Sequence, residues 1–155
     1  MMRYITKAEE LLKLRKNGNY TLLNDIDFEN ARVPCLAKYF TGTINGNGFT
    51  IRNLTLSDDI WGDEQTIALF VNMNRATITD LSFQNIRLEY QKGCYHPRIG
   101  VLAGSCSDFR ISNVSVIALN NDSGITPMIY ETNNCTITDV KMMCNGAECP
   151  IAYYD

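Results

Sequence analysis

The chain has 155 residues, of which 45% are hydrophobic and 20% charged, as in one folded domain with a real core, and we expect a single domain over 1–155. Its formal net charge of −3 argues against direct binding to a nucleic-acid backbone, which needs clustered lysine and arginine. There is no apolar run of about 18 residues and no signal-peptide core near the first residue, so we expect no membrane partner, a cytoplasmic location and reduced cysteines.

The first predicted element is a helix over residues 6–17. Thr6 and Glu9 have the spacing of a capping box, in which each side chain accepts a hydrogen bond from the other residue's backbone amide. Gly18 is a typical residue for the end of a helix. The apolar face would consist of Ala8, Leu11, Leu12 and Leu14. We expect this helix to cap one end of the β-structure that follows over 20–155.

A six-residue pattern, Ile-x-Asn/Asp-apolar-x-apolar, organises the rest of the chain. It begins at Ile51, Ile78, Ile111 and Ile137, so successive copies start 27, 33 and 26 residues apart. Its third residues would stack in one column and hydrogen-bond the turn backbone and each other. These residues are Asn53, Asp80, Asn113 and Asp139. We interpret them as structural rather than catalytic.

A second family of strands is predicted between the copies of this pattern. Its members are Ile67–Val71, Ile99–Ala103, Met128–Tyr130 and Ile151–Tyr153. Strands of this length cannot bury an apolar face alone, but stacked copies about 4.8 Å apart can. A period of strands and turns, rich in Ile, Val and Thr, therefore predicts a parallel β-helix, which is an all-β solenoid.

The variable lengths fall at one junction of each repeat, so we expect the long loops to form one continuous face. One loop holds the only Trp among four acidic residues, and the next holds two Tyr with basic residues, types that are common at binding hot spots. The predicted binding residues in these loops are Asp58, Asp59, Trp61, Asp63, Glu64, Tyr90, Lys92, Tyr95, His96 and Arg98. The alternative is that the loops fold back on the β-structure or are merely solvated.

The end of the chain is a second predicted binding site. Ile151–Asp155 reads as a strand with no cap after it, and an uncovered strand edge is a template for pairing. Tyr153 and Tyr154 would lie there, and the end would form a homodimer or accept a partner strand. The alternative is that the Met143–Pro150 loop and these tyrosines cover the end.

Residues 7–72 resemble the opening of GLUG-type β-helix proteins. The resemblance rests on Phe40-Thr-Gly42-Thr-Ile44-Asn-Gly46-Asn-Gly48-Phe49, on the Asn53-Leu54 that follows, and on Ala68-Leu69-Phe70. Gly100–Gly104 repeats the small-apolar-apolar element. The resemblance implies a right-handed parallel β-helix and offers no catalytic residues. Such proteins are commonly bacterial surface or adhesin-like proteins, but this chain has few repeats and no export signal.

Catalytic and metal sites find little support in the sequence, and we expect no enzyme, no metal and no cofactor. Cys94 with His96, and Cys144 with Cys149, lack the partner pairs that zinc sites usually show. Asp80 and Asp139 would lie about 10 Å apart, slightly beyond the range of an inverting carboxylate pair. The glycines at 42, 46 and 48 lack the Lys-Ser/Thr of a phosphate-binding loop.

These observations predict a non-catalytic protein-binding module. One concrete hypothesis is a phage- or mobile-element-encoded inhibitor of a bacterial defence nuclease, similar to an anti-CRISPR protein. Its acidic loop would compete for the basic groove of a nucleic-acid-binding protein in the bacterial cytoplasm. The alternative is a bacterial surface or phage-tail β-helix fragment that binds glycans.

Overall fold

In the computed structural model the chain is all-β. The structure describes residues 1–57, 66–89, 98–120 and 126–154, and for residues 153 and 154 it describes the backbone alone. The strands are β1 (Met2–Ile5), β2 (Asn19–Leu22), β3 (Ile26–Val33), β4 (Ala37–Phe40), β5 (Thr43–Asn45), β6 (Thr50–Ser57), β7 (Thr66–Ile67), β8 (Phe70–Asn74), β9 (Thr77–Glu89), β10 (Arg98–Ile99), β11 (Ala103–Ser107), β12 (Arg110–Asn120), β13 (Ile129–Asn133), β14 (Thr136–Cys144), β15 (Ala147–Glu148) and β16 (Ala152–Tyr154). A short helix, α1 (Ala8–Leu11), follows β1. None of the helical structure in these ranges is long and apolar enough to cross a membrane.

The strands form three sheets. The largest has nine strands in the order β1-β2-β5-β9-β12-β14-β15, with β6 beside β9 and β3 beside β6. A five-stranded sheet runs β16-β13-β11-β8-β4, and β7 pairs with β10. Every pairing between described strands is parallel except that of β14 with β15. Parallel sheets of this kind are the coarse architecture that the strand pattern predicts.

The core consists of like residues in register between neighbouring strands. Ile78 pairs with Ile44 on one side and Ile111 on the other, and all three are at most 2% exposed. Aromatic rings continue the core, since the Phe40 ring centroid lies 6.4 Å from that of Tyr20 and 5.7 Å from that of Phe70. Buried and exposed positions alternate along β2 and at the start of β3, where Tyr20, Leu22, Ile26 and Phe28 are buried.

The prediction of a helix over 6–17 is wrong, because α1 ends at Leu11. The backbone beyond it bonds to neighbouring strands: the Arg15 amide donates to the Tyr20 hydroxyl at 2.7 Å, and the Lys16 carbonyl accepts from the Thr41 amide at 2.7 Å. Leu12, expected on the apolar face, is 45% exposed. The carboxylate that reaches back belongs to Glu10, which accepts from the Thr6 and Lys7 amides, and these hydrogen bonds lower its pKa.

The second strand family is also corrected, because its predicted strands contain a corner. Ile67–Val71 divides into the end of β7, a bend at 68–69 and the start of β8. Ile99–Ala103 divides in the same way around 100–102. Gly100 occupies this corner, where a Cβ atom would lie 2.4 Å from the Tyr130 backbone nitrogen. Close backbone approach therefore requires glycine at position 100.

The first copy of the six-residue pattern lies in a different register from the other three. Asn45 pairs with Thr79 and Thr50 with Ser82, so the four residues 46–49 lie opposite only two residues, 80 and 81. Ile51 consequently pairs with Phe83 rather than Ile78. The predicted column therefore holds Asp80, Asn113 and Asp139 but not Asn53.

Candidate binding surface

The described ends of the long connections lie side by side. In β6 and β9, Ser57 pairs with Glu89, and in β9 and β12, Leu88 pairs with Asn120. Two of the returning strands are also neighbours, because Thr66 of β7 pairs with Arg98 of β10. We call these strand ends, Ser57, Glu89 and Asn120, with the returning Thr66, Arg98 and Thr126, the loop corner. Connections 58–65, 90–97 and 121–125 all attach to it.

Arg32 joins three strand ends at the loop corner. Its guanidinium forms an ion pair with the Glu89 carboxylate and donates to the Ser57 hydroxyl at 2.7 Å. Arg32 is near the end of β3, Ser57 ends β6 and Glu89 ends β9. The Arg32 and Glu89 side chains are 56% and 40% exposed, so the pair orders the strand ends more than it stabilises the fold.

A buried side-chain amide, that of Asn120, joins the two ends of connection 121–125. The Asn120 side-chain amide donates to the Thr126 hydroxyl at 3.0 Å, and both residues are buried. Asn145 completes the group, because it accepts from the Asn120 amide at 2.9 Å and donates to the Asn120 carbonyl at 3.0 Å. The two ends of segment 121–125 are therefore held together below the surface.

Apolar side chains lie on the outer face of the nine-stranded sheet beside the loop corner. Ile117 and Leu119 are 45% and 43% exposed, and both lie near the end of β12. Met143 pairs with Ile117 across the sheet and is half-buried. We call these three residues the outer apolar patch. A patch beside variable loops is typical of a protein-binding surface.

A shallow polar groove of about 300 Å³ lies elsewhere on the same sheet. Its lining includes the column Asp80–Asn113–Asp139 and a second column Ser82–Ser115–Lys141. Asn113 donates to Asp80 at 2.9 Å, and Ser115 donates to Ser82 at 3.1 Å. The described residues contain no group of three His, Cys, Asp or Glu side chains that could hold a metal ion.

The shared Asn and Asp positions have a clear structural role. Asn53, Asp80, Asn113 and Asp139 all have φ between 52° and 61°, a left-handed conformation that Asn and Asp tolerate better than other non-glycine residues. Asn53 belongs to a separate column, in which it donates to Asp27 at 3.0 Å and accepts from Asn85 at 2.7 Å. Hydrogen bonds from the Glu29 amide and from Asn53 lower the pKa of Asp27.

Most of the binding residues predicted from the sequence lie outside the described residues. These are Asp58, Asp59, Trp61, Asp63, Glu64, Tyr90, Lys92, Tyr95 and His96. Arg98 is described, and it is an exposed residue at the start of β10. Tyr153 and Tyr154 lie in β16.

The last strands form the end of the sheets. β16 pairs with β13, and β15 pairs with only Met143 and Cys144 of β14. Among the described strands, none pairs with the edge of β16 opposite β13, or with the edge of β14 opposite β12 over Thr136–Met142. Ile137 and Val140 are only half-buried there. The Met143–Pro150 hairpin therefore covers part of this end.

Sequence reasoning missed the residues that fasten the loop corner. Arg32 contacts Glu89 from 57 residues away, and Asn120 contacts Asn145 from 25 residues away. Neither pair has a local spacing that would mark it. Asn120 and Thr126 do flank a short polar segment, and that was the one available signal.

A scan of protein-family models and searches of curated proteins and solved structures found no match to this chain.

Proposed function

We propose that the chain is a non-catalytic protein-binding module whose binding surface is the loop corner together with the connections attached to it. The observation that carries this proposal is the register of Ser57 with Glu89 and of Leu88 with Asn120. Because these strand ends are neighbours, residues that are distant in sequence attach to one face. Arg32 links the ends of β3, β6 and β9 at the surface, and the buried Asn120–Thr126 pair holds the third connection from below.

The proposed scaffold is a short right-handed parallel β-helix of the GLUG type, with β1 and α1 at its N-terminal end. Parallel pairing between residues 24–34 positions apart supports it, as in Tyr20 with Ile44, Ile44 with Ile78, and Ile78 with Ile111. In a solenoid of this kind the stacked strands provide the stability of the fold, and the loops at the corner provide the surface that recognises a partner.

The composition of the attached connections indicates the kind of partner. Residues 58–64 contain four acidic side chains and one tryptophan, which suits a protein surface that is basic and partly apolar. The outer apolar patch could extend such an interface. In its most concrete form, the protein is a phage- or mobile-element-encoded inhibitor that occupies the nucleic-acid groove of a bacterial defence nuclease, as an anti-CRISPR protein does.

The test is affinity capture from bacterial lysate with mass-spectrometric identification, followed by competition with duplex DNA. We expect the wild type to recover a nucleic-acid-binding protein that DNA displaces. Reversing the charges at Asp58, Asp59, Asp63 and Glu64 to Lys should abolish recovery.

The control reverses two charges elsewhere, in the variant Glu131→Lys/Glu148→Lys, whose substituted residues are exposed. It should recover the partner as the wild type does. Equal loss in both charge-reversed variants would mean that net charge, rather than the loop corner, drives capture. Unchanged recovery by the loop variant would contradict the proposal.

Glycan binding is a second candidate, which the polar groove favours. Its hydroxyl, amide, carboxylate and ammonium groups could bond to sugar hydroxyls, although its lining includes no described aromatic residue for ring stacking. Calorimetric titration with a uronic-acid oligosaccharide would test it. Binding by wild type that is lost in Lys141→Met but kept in Lys38→Met would support the groove; absence of heat would exclude this class of ligand.

The C-terminal end is the proposed site of a homodimer, because the open edges of β14 and β16 can pair with a second copy. Light scattering after size exclusion would measure its mass. We expect a dimer that Val140→Lys converts to a monomer, whereas Lys38→Met leaves it unchanged. A wild type that is monomeric at high concentration would refute this part of the proposal.

A further inference from the structure

Two cysteines from neighbouring repeats meet inside the C-terminal end of the fold. Cys106 lies in β11, and Cys135 lies in the corner between β13 and β14. The strands pair in parallel with Cys106 opposite Thr132, so the chain turns back over Cys106 just after β13. The Cys135 thiol donates to the Cys106 carbonyl oxygen at 3.5 Å and to the Asn133 carbonyl oxygen at 3.6 Å, so its sulfur lies against the backbone of Cys106.

Both side chains occupy interior positions. Cys106 follows Phe40 and Met73 along one buried column, since Phe40 pairs with Met73 and Met73 with Cys106. Cys135 occupies the position that Phe109 holds one repeat earlier, because Arg110 pairs with Thr136. Phe109 is fully buried, whereas Cys135 is half-buried. The difference follows from its place at the end of the stack.

The two thiols differ in the way a reactive pair requires. The hydrogen bond from the Cys106 thiol lowers the pKa of Cys135 to about 6, aided by the Phe109 and Asn133 backbone. The same contact, together with burial, raises the pKa of Cys106. Cys135, which is half-buried, is therefore the thiol of the pair that loses its proton more readily, while Cys106 is a buried thiol that keeps its proton.

We propose that Cys106 and Cys135 form a redox modification site, in which Cys135 reacts first with an oxidant and Cys106 then closes a disulfide between two repeats. The proposal stands on the contact between the Cys135 sulfur and the Cys106 backbone and on the one-sided exposure of the pair. It is independent of the binding function proposed for the loop corner.

The chemistry balances with an external disulfide such as oxidised glutathione. The Cys135 thiolate attacks one sulfur of that disulfide, and the other glutathione leaves as a thiolate. Cys106 then gives its proton to the departing thiolate and attacks the Cys135 sulfur, which releases the second glutathione. Two protein thiols are oxidised to one disulfide, and one disulfide is reduced to two thiols.

A second thiol pair provides an internal comparison. Cys144 lies in β14 and Cys149 follows β15 in the same hairpin, and burial raises the pKa of Cys144. Cys35 is a further comparison, because burial raises its pKa as well. Cys144 and Cys35 should therefore react more slowly than Cys135 with the same oxidant.

The experiment uses the full-length reduced protein, oxidised glutathione at neutral pH, alkylation of the remaining thiols and tryptic mass mapping. Trypsin separates the relevant residues, with Cys35 in 33–38, Cys106 in 99–110, Cys135 in 111–141, and Cys144 and Cys149 in 142–155. We expect peptide 99–110 linked to peptide 111–141 before any other disulfide forms. Oxidation should raise the melting temperature by about 5 °C or more.

Rates of alkylation provide a second readout in the wild type. Iodoacetamide at pH 7 should modify Cys135 about tenfold faster than Cys35, with half of the maximal rate near pH 6. Cys106→Ala should shift that midpoint upward, because it removes the hydrogen-bond donor. Cys35→Ala is the matched control and should leave both the midpoint and the cross-linked peptide unchanged.

Three results would overturn the proposal. Disulfides that form elsewhere without the 99–110 to 111–141 link would refute the pairing. A Cys135 that alkylates no faster than Cys35 would refute the activated thiolate. If Cys106→Ala fails to fold, Cys106→Val provides the same test of the midpoint, and an unchanged midpoint in a folded variant would refute the role of Cys106.

Discussion

Asn113 offers the sharpest test of whether the repeated Asn/Asp position serves the fold. Its φ is 52°, and its side chain donates to Asp80 at 2.9 Å. Replacing it with Ala removes the hydrogen bond, worth roughly 1 kcal/mol, and forces a Cβ-bearing residue without a compensating side chain into the left-handed region, which costs about 1 kcal/mol more. We therefore expect Asn113→Ala to lose about 2 kcal/mol of unfolding free energy.

Asn113→Gly separates the two contributions. Glycine adopts the left-handed conformation without steric strain, so this variant loses the hydrogen bond but avoids the strain that alanine meets. Its unfolded chain is more flexible, which lowers the free energy of unfolding somewhat. We expect Asn113→Gly to be more stable than Asn113→Ala by about 1 kcal/mol. Urea denaturation followed by circular dichroism measures both, provided that the m-value stays constant.

Ser112 provides the control, because it lies in the same strand with ordinary extended pairing to Thr79 and Thr138. At that position the order should reverse, with Ser112→Ala more stable than Ser112→Gly, since glycine weakens a strand interior. If Asn113→Ala is as stable as Asn113→Gly, the left-handed conformation is not what the repeat selects, and the structural interpretation of the motif fails.

Three further predictions concern other parts of the fold. Gly46→Ala should lower the free energy of unfolding by about 2–3 kcal/mol, because the new Cβ would lie 2.6 Å from the Leu81 Cα. Gly48→Ala is the control, because a Cβ there has open space and meets only the strain of the left-handed conformation. Urea denaturation compares the two variants, and equal losses of stability would contradict the close approach at Gly46. Hydrogen bonds lower the pKa of Asp27, so its carboxylate contributes stability above the ordinary value of 3.8 and loses that contribution as pH falls through the lowered pKa. Thermal melts should therefore separate wild type from Asp27→Asn near pH 5 and converge once the pH is low enough to protonate Asp27 in the folded protein. Arg32→Met should change stability by less than about 1 kcal/mol yet reduce partner capture, and a loss above about 2 kcal/mol would instead make Arg32 an element of global stability.

The sequence predicted where the loop corner lies but not which side-chain contacts hold it together. Variable lengths at one junction of the repeat located it, and the pairing of Ser57 with Glu89 agrees with that expectation. Its fastening was not predictable, because Arg32 and Glu89 are 57 residues apart and share no pattern. The predicted binding residues themselves all remain predictions.

Competition for the backbone explains the largest error in the fold. Residues 12–17 have a good helical pattern, yet the Lys16 carbonyl bonds to the Thr41 amide and the Gly18 carbonyl to the Thr43 amide. Local propensity is worth a few tenths of a kcal/mol per residue, and hydrogen bonding and packing against the neighbouring strands outweigh it. No local signal in the segment reveals that the competing strands exist.

The sequence by itself determined the features that depend on near neighbours: the alternation of buried residues, the repeat, and the Asn or Asp where the backbone turns left-handed. Only the tertiary structure decided which copies meet. Residues 46–49 lie opposite only residues 80 and 81, and this shift in register moves Asn53 out of the column of Asp80. The parallel pairing of β11 with β13 brings Cys106 and Cys135 together. The physical reason is that side-chain pattern fixes local backbone conformation, whereas register depends on hydrogen bonds between segments that are remote in the chain.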